Sequence, residues 1–346
     1  MIKPEGVIKK PGVRVVDMRQ EKLLKPYLTK KVIDASRRYI KNDKKVMFLI
    51  NRRGYSTFLQ CKDCNHIQEC PNCSIPLVFH KQVLSLKCHN CGYTSHLSDN
   101  CPRCKSYNVE LLGAGTQRVQ EDLENLLGIK TLRLDSDRAR KKSEIEGLIG
   151  DTHRDDVRIL VGTKLMSRRL GPESSSGSGG FSMAVTLNTD LFLNLPDFRS
   201  AEKAYQEISS LIDKIDPQGE VFIQTRIPQH YLFKYMKNYD YDSFFREELS
   251  RRKSLHYPPY ARLVLIRCIS KRDLLKELQA VVKRIDKDVE VLGPLYSKNI
   301  RDKKEFRVLM KSRNRPGLHS SARTFMEVFK YSKDVIVKVD VDPISM

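Results

Sequence analysis

The sequence predicts an α/β protein built on a parallel sheet, interrupted by a cysteine-rich module and closed by a small α+β domain. Three observations carry that expectation. Apolar strand-like runs alternate with amphipathic helical stretches from residue 29 to about residue 230, the pattern of a parallel sheet flanked by helices. Eight of the nine cysteines fall between Cys61 and Cys104. From about residue 261 the order becomes β-α-β-β-α-β, a split βαβ arrangement.

The elements follow in order. Residues 1–28 contain Lys-Pro pairs and read as a connecting arm. TKKVIDASRRYIKN, residues 29–42, has the spacing of an amphipathic helix. VMFLIN, residues 46–51, is an apolar run bounded by charge, as expected of a buried parallel strand. Beyond the cysteines, LLGAGTQRVQEDLENLL places a glycine turn before a helix, and TLRLDS reads as a strand. A charged helix around residues 139–149 precedes the strands VRILVGT, MAVTLNTD and EVFIQT. Asp190 sits at a strand's C-terminal end, where α/β sheets place their ligands. Between two of these strands, GPESSSGSGG at 171–180 is a low-complexity segment that no packed core can use.

The last part reads ARLVLIRCI, the helix KRDLLKELQAVVKRI, then VEVLGPLY, EFRVLMKS, a helix around 317–332 and DVIVKVDV. The expected division is therefore an arm at 1–28, an α/β lobe over 29–60 and 105–230, a metal module at 61–104 and a terminal domain at 231–346.

Composition narrows the function classes. With 346 residues, 40% of them apolar, the chain can bury a substantial core. No apolar run is long enough to span a membrane, and MIKPEGVIKK has no signal-peptide stretch. A cytoplasmic location is the expectation. The net charge of +21 is unevenly placed: residues 1–60 carry +11, 61–110 carry +1, 111–230 carry −2 and 231–346 carry +11. Basic ends around a neutral middle suggest a polyanionic partner, DNA or RNA, held at the ends. A lysine-decorated wet surface is the plainer alternative.

The cysteines are the sharpest signal. They read CKDC, CPNC, CHNC and CPRC, with Cys268 alone in an apolar run. A disulfide framework needs an oxidising compartment, which nothing here indicates. A redox Cys-x-x-Cys occurs once beside a βαβ pattern rather than four times in succession. Zinc ligation fits. SIPLVFHKQVLSLK alternates like two short strands joined at His80-Lys81-Gln82. That hairpin brings Cys70, Cys73, Cys88 and Cys91 together as one tetrahedral thiolate site. Cys61, Cys64, Cys101 and Cys104 are left for a second, so two zinc ions are expected, in nested pairing. Four thiolates close each site, which makes catalytic zinc a poor expectation, and His66, His80, His89 and His96 read as surface or packing residues. Cys268 reads as a buried strand residue.

Several of these segments resemble a known family. FLINRRGYSTFLQC, the four cysteine pairs, GAGTQRVQEDL, RLDSD, ILVGT and LNLPDFRSAEKAYQ are similar to the C-terminal half of PriA, the bacterial primosomal helicase family that restarts stalled replication forks. HYPPYARL and VKVDVDPISM resemble segments of its terminal domain. The resemblance implies a RecA-like helicase second lobe, a two-zinc insertion and a terminal domain for DNA and partners. Forked or single-stranded DNA, the acidic tail of single-stranded DNA-binding protein and other primosome proteins are the implied partners.

Departures from the family pattern bear on catalysis. The family hydrolyses ATP between two lobes, the first carrying G-x-x-x-x-G-K-[ST] and a magnesium-holding acid; neither motif occurs here. After Gly162-Thr163, the family's glutamine is Lys164, and SRRLGPESSSGSGG follows after Leu165-Met166. Where the family has Q-V-x-G-R-x-G-R, this chain has SSLIDKID. Such arginines stabilise charge on a transferred phosphoryl group. Without them ATP is doubtful as a ligand, and no catalytic residue is assigned. The expected function is a PriA-like, DNA-binding replication-restart protein that is not a motor by itself. One alternative is a fragment or split half of an active ATP-dependent 3'-5' DNA helicase; another is an inactive remnant. Arg52 and Arg53 read either as helicase residues touching DNA or as a strand-end turn. Gly162 and Thr163 resemble a helicase motif that touches DNA backbone, although the residues after them are replaced. Phe198 and Arg199 read as a cap for the following helix, and the aromatics at 231–247 as packing residues.

Overall fold

The computed structural model describes residues 9–343 apart from 51–56, 62, 65, 72–76, 81–83, 89–92, 113–115, 136–141, 153, 171–179, 188, 194–196 and 301. Two compact units emerge. One comprises Met1–His66, Arg103–Leu195 and Arg199–Phe244, the other Ile67–Pro102, Pro196–Phe198 and Phe245–Met346.

In chain order the elements begin β1 (Gly12–Asp17), β2 (Leu23–Lys25), β3 (Leu28–Thr29), α1 (Lys30–Lys41) and β4 (Lys45–Ile50). The cysteine-rich stretch holds β5 (Thr57–Cys61), β6 (Val78–His80), β7 (Ser85–Lys87), β8 (Thr94–His96) and β9 (Val109–Leu112). Next come α2 (Thr116–Leu127), β10 (Thr131–Leu134), α3 (Lys142–Thr152), β11 (Ile159–Gly162), α4 (Lys164–Arg169) and β12 (Phe181–Leu187). They are followed by α5 (Asp190–Leu193), α6 (Ser200–Ile212), β13 (Ile215–Thr225), α7 (Tyr231–Lys237) and α8 (Tyr241–Ser254). The chain closes with β14 (Arg262–Ser270), α9 (Leu275–Val282), β15 (Glu290–Ile300), β16 (Lys303–Ser312), α10 (Arg315–Val328) and β17 (Val335–Val341).

The first unit is built on a six-stranded sheet of order β1-β13-β12-β4-β11-β10, parallel at every pairing. Its central strands β4, β11 and β12 are apolar on both faces because both faces are covered. Val46, Phe48 and Ile50 of β4 join one apolar cluster with Val32 and Ile33 of α1 and Leu123 of α2. Met47 and Leu49 join the other, with Met166 of α4, Ile208 and Leu211 of α6 and Phe233 of α7. The period of two along the strand sends alternate side chains into the two layers. Thr29 caps α1 by accepting from the Val32 amide, and Arg38 and Lys41 sit in its last turn, where the helix dipole favours cations.

Four features differ from the sequence expectation. Within the arm at 1–28, Gly12–Asp17 is a strand, paired in register from Gly12↔Glu220 to Asp17↔Thr225; its valines pack onto the neighbouring core. Strand β13 starts five residues before EVFIQT, because Ile215 is buried and already paired with Phe181. Phe198 does not cap α6. Its ring stacks on Tyr257 at 5.1 Å with the Arg252 guanidinium 5.1 Å from its centroid, and Arg199 occupies the cap position without a side-chain cap bond. The aromatics at 231–247 divide: Phe233 and Phe244 are core residues, Phe244 stacking on Tyr205 at 4.4 Å, while Tyr241 and Phe245 are exposed.

The second unit contains a four-stranded antiparallel sheet of order β15-β16-β14-β17. Helices α9 and α10 cover one face, where Leu278, Val281, Leu318 and Phe325 pack on Val264, Ile266, Phe306 and Val308. Cys268 lies fully buried in this core, and burial pushes its thiol pKa up to about 12.

Candidate metal centre

The four sulfurs of Cys61, Cys64, Cys101 and Cys104 lie within 4.8 Å of one another. Cys61 ends β5 and is buried, as is Cys101; Cys64 is half-buried and Cys104 exposed. The local backbone explains how residues distant in sequence converge. Strands β5 and β9 pair antiparallel from Phe58↔Leu112 to Cys61↔Val109, which fixes the two ends of the segment side by side. The first Cys-x-x-Cys folds into a turn closed by the Cys61 amide donating to the His66 carbonyl, 2.9 Å. Asp63, inside that turn, accepts from the Ser106 hydroxyl and from Asn108 Nδ2. These two donors hold the Asp63 carboxyl below its ordinary pKa, Ser106 contributing most.

The donor set suits zinc. A tetrahedral tetrathiolate with Zn–S bonds near ~2.3 Å has sulfur–sulfur edges of about 3.8 Å. Cys61 and Cys104, one from each pair, approach at 3.5 Å. Four sulfurs in that space complete a coordination shell without an open position, which is the character of a structural metal.

The inner pairs are described in part. Cys70 and Cys88 are buried; Cys73 and Cys91 lie outside the described residues. Strands β6 and β7 form a hairpin with Val78↔Lys87, Phe79↔Leu86 and His80↔Ser85 in register. The Cys88 amide donates to the Tyr93 carbonyl at 2.7 Å, and β8 extends the hairpin from Ser85↔His96 to Lys87↔Thr94. His66 contributes its backbone carbonyl at the outer cluster, and His96 is exposed on β8. His89 lies outside the described residues.

The other candidate residues sit elsewhere. Arg52 and Arg53 lie outside the described residues. Gly162 ends β11, and a Cβ there would meet the Leu134 carbonyl oxygen at 2.6 Å and Met166 Cβ at 3.0 Å. Close packing therefore accounts for the glycine. Thr163 is buried, its amide donating to the Leu134 carbonyl. Lys164 is held by Glu207 of α6 at 2.7 Å, with its ammonium 5.0 Å from the Phe192 ring centroid. In the stretch where the family resemblance implies arginines, Asp213 caps the C-terminus of α6 and the Asp216 carboxylate accepts from the Gln218 amide. That stretch is a tight helix-to-strand turn.

The sequence reading marked one buried group, Asp190, and missed its neighbour Arg226. Asp190 accepts from the Arg226 amide at 2.9 Å and from the Thr225 hydroxyl. Burial raises the Asp190 pKa and lowers that of the neighbouring Arg226 guanidinium. Asp190 was marked by its strand-end position; Arg226 carried no sequence signal, since a single arginine after a strand reads as surface.

Comparison with known proteins gives the segments a family. Residues 253–344 match the family model of the Primosomal protein N C-terminal domain. Residues 70–95 match that of the PriA DNA helicase Cys-rich region. Replication restart protein PriA of Bacillus subtilis is 31% identical over 97% of this chain and 43% of its own length. Its counterpart from Synechocystis is also 31% identical, over 97% of this chain and 42% of its own. That of Rickettsia felis is 29% identical over 96% and 52%. The chain thus spans about half the length of the curated relatives it matches. It is PriA-like over nearly its whole sequence, with residues 70–95 similar to that family's Cys-rich region and residues 253–344 to its C-terminal domain.

Proposed function

We propose that the chain serves replication restart as a zinc-stabilised module that binds branched or single-stranded DNA and other replication proteins, without acting as a motor by itself. The observation that carries this is the four-thiol cluster within a chain PriA-like over 97% of its length. Two zinc ions would be held, one by Cys61, Cys64, Cys101 and Cys104, the other by Cys70, Cys73, Cys88 and Cys91. The parallel sheet would act as helicase lobe 2 over 29–60 and 105–230, with 61–104 as the zinc module. The terminal domain, 231–346, would contact DNA and acidic protein segments through its net +11. The acidic tail of single-stranded DNA-binding protein is one such segment. No helix among the described residues is long and apolar enough to cross a membrane, and cytoplasmic work on DNA is the location proposed.

The absence of motor activity follows from residue chemistry. A transferred phosphoryl group needs a cation aligned with its developing charge, and an arginine finger contributes about 10³–10⁵ in rate. Lys214 stands between Asp213 and Asp216 in the corresponding turn, and it offers a point charge instead of a bidentate fork. Lys164 is already engaged by Glu207.

The test combines binding and turnover on the full chain. Fluorescence anisotropy with forked and single-stranded oligonucleotides should show binding that weakens steeply with salt, as counterion release requires. ATP hydrolysis measured alongside should not respond to DNA. DNA-dependent turnover would return the chain to the motors, and no binding at low salt would remove the DNA function.

A further inference from the structure

On the four-stranded sheet of the second unit, three cations stand in one cross-strand row. Arg267 of β14 is paired directly with Arg307 of β16 on one side and with Lys338 of β17 on the other. Residues directly opposite share a face, with Cβ atoms roughly 4.5–5.5 Å apart, and like charges placed so destabilise the sheet. The row points away from the helices. The residues alternating with it, Ile266, Cys268, Phe306, Val308, Val337 and Val339, belong to the core beneath α9 and α10.

The acids beside the row compensate it incompletely. Glu305, buried on the same face, accepts from Arg307 Nε at 2.6 Å. Asp340 comes only within 4.0 Å of Arg267 Nη2. Arg267 Nε is buried without a hydrogen-bond partner, although the side chain as a whole remains 35% exposed. Lys338 is exposed and has no ion pair among the described residues. Two carboxylates thus face three cations, and the central guanidinium has an unused donor. Such a row persists at a cost unless an anion lies along it. Three adjacent strands span about 10 Å, a single line suited to one phosphodiester backbone. Ile336, two residues before Lys338 on the same face and 44% exposed, offers apolar surface beside the cations.

We propose that the face of this sheet opposite α9 and α10 holds the phosphate backbone of single-stranded DNA along Arg307, Arg267 and Lys338; the assignment rests on the DNA-binding function proposed above. Arg267 supplies the bidentate contact at the centre, and Lys338 and Arg307 flank it. The row fixes backbone position and carries no sequence preference.

The experiment measures binding of a fluorescent oligothymidine to the full chain across a salt series. Arg267→Gln with Lys338→Gln should lower the slope of log affinity against log salt by about 1.4, two contacts at ~0.7 each for single strands. Lys276→Gln, an exposed charge on α9 away from the row, should leave the slope unchanged. An unchanged slope in the double variant while the wild type binds overturns this assignment alone. An equal drop in the Lys276→Gln control also overturns it, by showing a net-charge effect. A wild type that fails to bind removes both this assignment and the function beneath it. Zinc content and melting temperature check the fold of each variant, and the Lys338→Gln single change, at an exposed position, decides the matter if Arg267→Gln unfolds.

Discussion

Strand β4 sends Val46, Phe48 and Ile50 into one apolar layer and Met47 and Leu49 into the other, whereas β6, β7 and β8 of the cysteine-rich segment are three residues each. In the first region Val46 through Ile50 all have apolar partners. Among its described residues the second buries Leu77, Phe79 and Leu86 together with Cys61, Cys70, Cys88 and Cys101, and little else. A sheet of that kind cannot offset the conformational entropy of its own loops by burial alone. The difference teaches where each region would find its stability: in area removed from water for the parallel sheet, and, on the proposed function, in metal–thiolate bonds for the segment between Cys61 and Cys104.

The comparison can be broken most severely by taking the metal away. Binding of structural zinc contributes about 10–16 kcal/mol in small zinc modules, so a strong chelator should unfold residues 61–104 while the six-stranded sheet survives. Limited proteolysis followed by mass mapping checks this. Cleavage should concentrate within 61–104, and equal cleavage across 131–225 would show that the sheet depends on metal too.

A core truncation should do the reverse. Phe48 is fully buried, and Phe48→Ala should cost about 3–5 kcal/mol of global stability. Denaturant titration reads that loss, and zinc content should stay unchanged.

A smaller effect is expected at Lys45. It is 1% exposed, its ammonium donating to the carbonyls of Thr152 and Arg154 at 2.9 and 3.0 Å. Those carbonyls close the end of α3, and burial lowers the lysine pKa. Lys45→Met keeps the stem but leaves both carbonyls unpaired, for a loss of about 1.5–3 kcal/mol. Chemical denaturation that shows no change would mean water satisfies them.

The smallest effect separates the two kinds of cysteine. With a pKa of about 12, roughly one Cys268 thiol in 10⁴ is ionised at pH 8. Iodoacetamide should label the cysteines of 61–104 after chelation and reach Cys268 only in denaturant. Early labelling of Cys268 would place it outside a closed core.

Much of this was legible in the sequence, and unevenly so. The parallel sheet was readable because VMFLIN, VRILVGT and MAVTLNTD are apolar runs whose polar residues fall mostly at their ends. The β-α-β-β-α-β order of the terminal domain was readable for the same reason. Strand β1 was missed because GVRVVD lies among lysines and prolines, and its pairing with β13 depends on residues two hundred positions away. The early start of β13 was missed since DPQG reads as a turn, whereas Ile215 is pinned by Phe181 across the sheet. In the metal centre the ligand types were plain from the four Cys-x-x-Cys pairs. The bonds from Ser106 and Asn108 to Asp63 were not, because short polar side chains in loops carry no periodic signal. The cation row was equally hidden, since register alone brings Arg267, Arg307 and Lys338 together.

Zinc content per chain, measured on the purified protein and on Cys101→Ser, tests the account most directly. Cys101 is buried within the outer cluster, and its loss should open that site while leaving the inner one filled. The account predicts two zinc ions for the natural sequence and one for the variant. A single ion in the natural protein, or the same count in both, would contradict it.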